Sequence, residues 1–232
     1  MVAPIFSVRQ VYTRYRLLLA VLITIVIQPT LAASPNLDVF SSDALLVMIQ
    51  QIGIGVMMGT ILQLAFNALI FGGQVMAYSM GLGFASMMDP ANGVQVPVVS
   101  QYWQILAMLV FLMTNGHLTL IEGISESFAI LPIAVDGLTS GGLWAIVTWS
   151  STMFSAGLLM ALPIIITLLL VNIGMGVIAR SAPQLNIFAI GFPITLMVGF
   201  IVMWVTLPHV MSGFGSLVVE SFAVSTDILR TK

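Results

Sequence analysis

The feature that most constrains this chain is where its charges do not fall. Residues 44–88 and 137–179 form uncharged runs of 45 and 43 residues, and shorter ones cover 17–37, 90–121 and 181–219. A bilayer span needs about 20 mostly apolar residues. The two longest runs are therefore too long for one straight crossing and must be very long helices, broken helices or hairpins. Asp, Glu, Lys and Arg together make up 6% of the 232 residues, against about 25% in an ordinary soluble domain. With a mean hydropathy of +1.14, the chain reads as an integral membrane protein.

In lipid the backbone must satisfy its own hydrogen bonds, so the choice lies between helices and a closed barrel. Barrel strands would show about ten residues of strict alternation. The runs here are longer and continuous, as in Leu17–Ile27 (LLLAVLITIVI) and Ile105–Met113 (ILAMLVFLM). The fold class is all-α, with helices expected over 15–33, 44–70, 72–88, 98–121, 142–179 and 183–207, and a weaker one over 210–229. Breaks are expected at Pro29, Ser34–Asn36, Gly72-Gly73, Asp89–Gly93, Pro132–Gly142 and Ser181–Pro183. Pro163 and Pro193 should kink the runs that hold them. No linker marks a second domain, so residues 1–232 read as a single membrane domain.

Basic residues orient the spans. Arg9, Arg14 and Arg16 place that end in the cytoplasm. Segment 17–33 then leads outward to Asp38 and Asp43, and 44–88 returns. Segment 98–121 exits to the acidic loop over 122–141, and 142–179 brings Arg180 back inside. The basic cluster, the apolar run and Thr30–Ser34 imitate a secretory signal peptide. More apolar residues follow Gln28-Pro29, however, and the segment is read as a retained span.

Segment 44–88 carries a patterned face. Gln63, Asn67 and Gln74 are spaced four and seven apart, on one side of a helix. Gly55 and Gly59 form a G-x-x-x-G pair, with Gly55 two turns before Gln63. Small residues let helices approach closely in lipid, and amides bond between helices. Such a face serves either packing within the chain or contact with other subunits and a conduit. Methionines Met76, Met80, Met87 and Met88 surround Gly81–Ser86. They suit a flexible seal, and equally the filling of a greasy core. Asp89 stands beside Pro90 as a turn residue would. His117 reads as a hydrogen-bonded structural imidazole rather than a proton relay, and Glu122 and Glu126 as a solvated face.

The tests for catalysis fail. A serine protease within the membrane needs a Gly-x-Ser-Gly nucleophile and a histidine, but Leu138 stands where the first glycine should be. An aspartyl protease there needs two carboxylates within spans, and only Asp89 lies near one. No Walker loop, H-E-x-x-H or dinucleotide fingerprint is present. Cysteine is absent and the two histidines are far apart, so no metal or other cofactor is expected. Six basic residues cannot track nucleic acid phosphates.

Three strings in fixed order resemble one family. They are Gly81–Pro90 (GLGFASMMDP), Phe111–His117 (FLMTNGH) and Ala182–Pro193 (APQLNIFAIGFP). Over roughly residues 3–210 the chain resembles FliR, the membrane component of the flagellar type III export gate. The resemblance implies a helical pore built with FliP and FliQ in the bacterial inner membrane, at the flagellar basal body. It implies that FlhB and FlhA work beside that pore, which passes unfolded rod, hook and filament subunits. It also implies a fold in which the helices are arranged like those of FliP and FliQ joined end to end. Surrounding lipid is a further implied contact, and no cofactor is.

The resemblance also assigns residues. A plug loop corresponds to Gly81, Leu82, Gly83, Phe84, Ala85, Ser86, Met87, Met88, Asp89, Pro90 and Ala91, with Phe84 and Met87 as its bulky groups. Asn115, Gly116, His117, Pro183, Gln184, Gly191, Phe192 and Pro193 match the family's structural motifs. The Gly55–Gln74 stripe becomes mainly subunit contact. The chain departs from the family pattern in two places. A hydrophobic helix usually precedes the Ala3-Pro4 region and does not stand before it in this sequence; were the start truncated or misassigned, Arg9–Arg16 would form an internal cytoplasmic loop rather than a tail. Met87 stands where phenylalanine is frequent. Two other readings stay open: the equivalent component of a virulence injectisome, and a secondary transporter broken at Gly72-Gly73 and Pro193. The transporter predicts an inverted repeat and a buried carboxylate, and neither is visible.

Overall fold

The computed structural model describes residues 2–4, 6, 12–31, 40–83, 97–134, 137, 139–182, 184 and 186–230. Among them are six α-helices and no strand. They are α1 (Thr13–Ile27), α2 (Ser42–Ser79), α3 (Val98–Met113), α4 (Gly116–Ile130), α5 (Ser140–Ser181) and α6 (Ile187–Arg230), and a short 3-10 turn, Gln28–Thr30, follows α1. The helices α2, α5 and α6 run for 38, 42 and 44 residues. At 1.5 Å per residue each is about 60 Å long, roughly twice the hydrocarbon thickness of a bilayer. These three are long and apolar enough to cross a membrane, and α3 with α4 makes a fourth candidate bent by 67°.

Several expected boundaries move. The Gly72-Gly73 pair does not break a helix, because α2 runs through it. The expected helices over 183–207 and 210–229 are one, since α6 continues through Pro208 and Gly213. Tertiary packing overrides such local breakers when a chain has no water to offer the freed backbone. The expected span over 98–121 is two helices, and the loop over 122–141 is helical as far as Ile130. Of the expected span over 15–33, α1 covers Thr13–Ile27 and the 3-10 turn Gln28–Thr30 follows it directly, while residues 32 and 33 lie outside the described residues. The breaks expected at Ser34–Asn36 and Asp89–Gly93 lie outside the described residues.

The chain forms two compact units. The first comprises 1–66, 108–151 and 216–232, and the second 67–107 and 152–215. In the first, Ile54, Met57, Met58 and Ile61 of α2 pack with Leu131, Trp149 of α5, and Ile228 and Leu229 of α6. The indole Nε1–H of Trp149 donates to the Ile61 carbonyl oxygen at 3.4 Å. Buried in hydrocarbon-like surroundings, that indole would otherwise lose a hydrogen bond. Phe66 and Phe111 meet edge to face at 5.5 Å. In the second unit, Phe71 and Phe154 do the same at 5.3 Å.

Glycines set close contacts between helices of the second unit. A Cβ on Gly72 would stand 2.7 Å from the carbonyl oxygen of Gly157, and one on Gly73 would stand 2.8 Å from the Cα of Ser100. The glycines that seemed to mark a break are thus where α2 lies backbone-close to α5 and α3. Without a hydrophobic force between helices in lipid, such close approach supplies the dispersion energy of association.

Candidate functional site

The segment singled out over residues 81–91 begins where α2 ends, and the way α2 ends is well defined. Gly81 has φ +82°. Its N–H donates to the Tyr78 carbonyl oxygen, and the Leu82 N–H donates to that of Ala77, both at 3.0 Å. This pair of bonds is the Schellman motif, with Gly81 in the left-handed position that glycine takes without a Cβ penalty. The two bonds satisfy carbonyls that the helix terminus would leave open. Gly83 follows closely against Tyr78, whose Cδ1 lies 2.8 Å from where a Gly83 Cβ would stand.

Met76 and Met80 belong to the core at this point, each 0% exposed. The Trp103 Nε1–H donates to the Met76 sulfur at 3.1 Å. Met80 lies against Gly199 of α6, and the ring of Phe192 lies against Gly81. Of the two roles open to the methionines, these two serve as packing that holds the root of the segment. Phe84, Ala85, Ser86, Met87, Met88, Asp89, Pro90 and Ala91 lie outside the described residues.

The Gly55–Gln74 stripe divides between environments. Gly55 is exposed, and a Cβ there would meet nothing within 4 Å. Gly59 is buried under the start of the chain, with the Val2 Cβ 2.7 Å from its own would-be Cβ. Both glycines line a cavity of about 350 Å³ in the first unit, together with Ala20, Ile23, Leu120 and Ile124. Gln63, Asn67 and Gln74 are all half-buried on α2.

The motif residues Asn115, Gly116 and His117 build the 67° bend between α3 and α4. Asn115 holds φ 57° and ψ 23°, the left-handed region that asparagine tolerates better than most residues. Gly116 is buried, and a Cβ on it would lie 2.5 Å from the Phe111 ring. Its bareness is what lets that ring fold onto the bend. The Nδ1 atom of His117 is buried with no hydrogen-bond partner. Gln184 is exposed, Gly191 is half-buried, and Phe192 and Pro193 are exposed in the first turns of α6. Pro183 lies outside the described residues.

Sequence reasoning missed three contributors: the αL hinge at Asn115, and the packing glycines Gly157 and Gly199. The Asn115-Gly116 pair is itself a turn signal and could have divided the span. Single glycines in an apolar run carry no comparable mark.

Among the described residues no three His, Cys, Asp or Glu side chains gather as a metal site would. What the fold and these contacts define is an all-helical membrane protein of several candidate spans, with glycine-mediated helix contacts and a defined cap at the end of α2. The model for bacterial export proteins, family 1, matches residues 1–221. The flagellar biosynthetic protein FliR of Escherichia coli (strain K12) is 41% identical over 98% of this chain and 87% of its own length. That of Bacillus subtilis (strain 168) is 28% identical over 98% and 87% respectively. The surface presentation of antigens protein SpaR of Shigella flexneri is 27% identical over 75% of this chain and 69% of its own. The chain belongs to the FliR family of bacterial export proteins.

Proposed function

We propose that the chain is a non-enzymatic core component of the flagellar type III export gate. With FliP- and FliQ-type subunits it forms the channel that passes unfolded flagellar subunits across the bacterial inner membrane at the basal body. FlhB- and FlhA-type proteins act beside it, and the drive comes from partners. Residues Gly81 to Ala91 close that channel at rest, with Phe84 and Met87 as soft apolar groups that yield to a passing chain.

The observation that carries this reading is the end of α2. An abrupt αL stop at Gly81, rooted in a fully buried Met80, launches a glycine-rich, methionine-rich segment from a firm base. A seal that must re-form after each substrate needs such a combination of fixed root and adaptable side chains. The length and apolar exposure of α5 and α6 also favour partners. Leu158, Leu159, Ile166, Leu169, Leu170 and Ile173 of α5 are all exposed, along a helix twice as long as a bilayer core is thick. Of the stripe residues, Gly55, Gln63, Asn67 and Gln74 serve chiefly as subunit contact, while Gly59 packs against Val2 within the chain.

Deletion of 81–91 tests the reading. Ion leakage should rise while the complex still assembles, and an ion-tight deletion would overturn the plug. Gentle detergent purification followed by mass spectrometry should recover the partner subunits. The injectisome alternative draws on the SpaR relative at 27% identity. The higher identity to a flagellar relative, 41%, favours the flagellum.

A further inference from the structure

Resting on the plug reading above, we propose that Gly199 and Phe192 of α6 are positioning residues for the plug. They form a seat for its root and so decide where the segment stands. Phe192, Thr195, Gly199 and Met203 are spaced three and four apart, along one face of α6. Thr195, Gly199 and Met203 are buried, while Phe192 is 47% exposed.

Two consecutive residues of the root touch that face. Met80 is 0% exposed. A Cβ on Gly199 would stand 2.7 Å from both its Cγ and its Cε, and 3.0 Å from its sulfur. The next residue, Gly81, would carry a Cβ 3.3 Å from Cδ2 of Phe192. Methionine has three rotatable side-chain bonds and adopts whatever space it is given. A bare glycine opposite it is what makes that space a single slot. Because the clash would reach Cγ as well as the flexible tip, swinging Cε aside would not relieve it. With Met80 seated, and Gly81 and Leu82 each held by one cap hydrogen bond, the direction in which the chain leaves is set by α6. A glycine that merely allowed helices to approach would have backbone opposite it, as Gly72 does. Gly199 has the plug's own root opposite it.

The test uses the full chain in cells that carry its partner subunits, with membrane vesicles assayed for decay of an imposed ion gradient. Gly199→Leu should leave accumulation and partner recovery unchanged and raise the resting leak several-fold, toward that of the 81–91 deletion. Adding Met80→Ala should bring the leak back toward the parent, because the slot is then refilled from the other side. Phe192→Ala should leak in the same direction, by less. If Gly199→Leu fails to accumulate, Gly199→Ala takes its place, since one Cβ already meets Met80. A leaky deletion beside an ion-tight Gly199 variant would overturn the seat and leave the plug standing. A leak that Met80→Ala does not correct would overturn the seat as well. An ion-tight deletion would overturn the plug reading and the seat with it.

Discussion

Gly72 of α2 and Gly157 of α5 meet backbone to backbone: a Cβ on the first would stand 2.7 Å from the carbonyl oxygen of the second. Gly157 in turn lies close to α2 one turn earlier, because a Cβ on it would press on the Ala68 carbonyl. Neither obstacle is a side chain that can rotate away. Overpacking a core usually costs about 1–3 kcal/mol, and here the helices themselves must separate. Gly72→Leu and Gly157→Val should each lower accumulation of the chain and the melting temperature of the purified protein. Unchanged values for both would show that the crossing is not at these residues.

Asn115 holds the bend between α3 and α4 in the left-handed region. That region costs most residues about 1–2 kcal/mol, and asparagine and glycine less. Asn115→Ile should therefore destabilise by that amount, while Asn115→Gly stays near neutral. For a chain of this size about 1 kcal/mol corresponds to roughly 2–4 °C in Tm. Equal Tm values for the two variants would remove the case for strain at this position.

Trp103 combines bulk with one polar contact, its Nε1–H to the Met76 sulfur at 3.1 Å. Trp103→Phe keeps most of the buried ring and loses the donor, a loss of about 0.5–1.5 kcal/mol. A sulfur acceptor is weak, so the lower end is expected. Trp103→Ala should cost about 3–5 kcal/mol. Thermal unfolding of the detergent-solubilised protein separates the two, and a phenylalanine variant as damaged as the alanine variant would contradict the assignment.

Gly55 and Gly59 are one helical turn apart and should respond differently. Gly59 is covered by Val2 within the chain, whereas the space beside Gly55 is open. Gly59→Leu should lower the stability of the chain by itself. Gly55→Leu should leave that stability within about 0.5 kcal/mol of the parent, as surface changes do, and reduce recovery of partner subunits. Full recovery with Gly55→Leu would remove this glycine from the subunit interface.

Much of the fold was legible because lipid is an undemanding reader of sequence. With no water in the hydrocarbon core, an uncharged apolar run can only be helical, and the helical state of α2, α5 and α6 follows from their runs, although the local breakers predict two helices each where α2 and α6 are single. The end of α2 was not legible: the apolar pattern predicts a helix over 72–88, whereas α2 ends at Ser79 and Gly81 caps it. Gly72-Gly73 was misread for a physical reason. A glycine that breaks a helix and a glycine that admits a neighbouring helix look alike in one dimension, and only the presence of Gly157 and Ser100 opposite tells them apart.

What the amino acids determined by themselves is that this chain lives in lipid and is helical in its long runs. Each of these depends on residues near one another along the chain, or on the solvent they share. The tertiary structure alone decided which glycines face other helices, and that Met80 lies against Gly199. Those outcomes pair residues up to 119 positions apart, and contacts of that range leave no periodic trace in either segment.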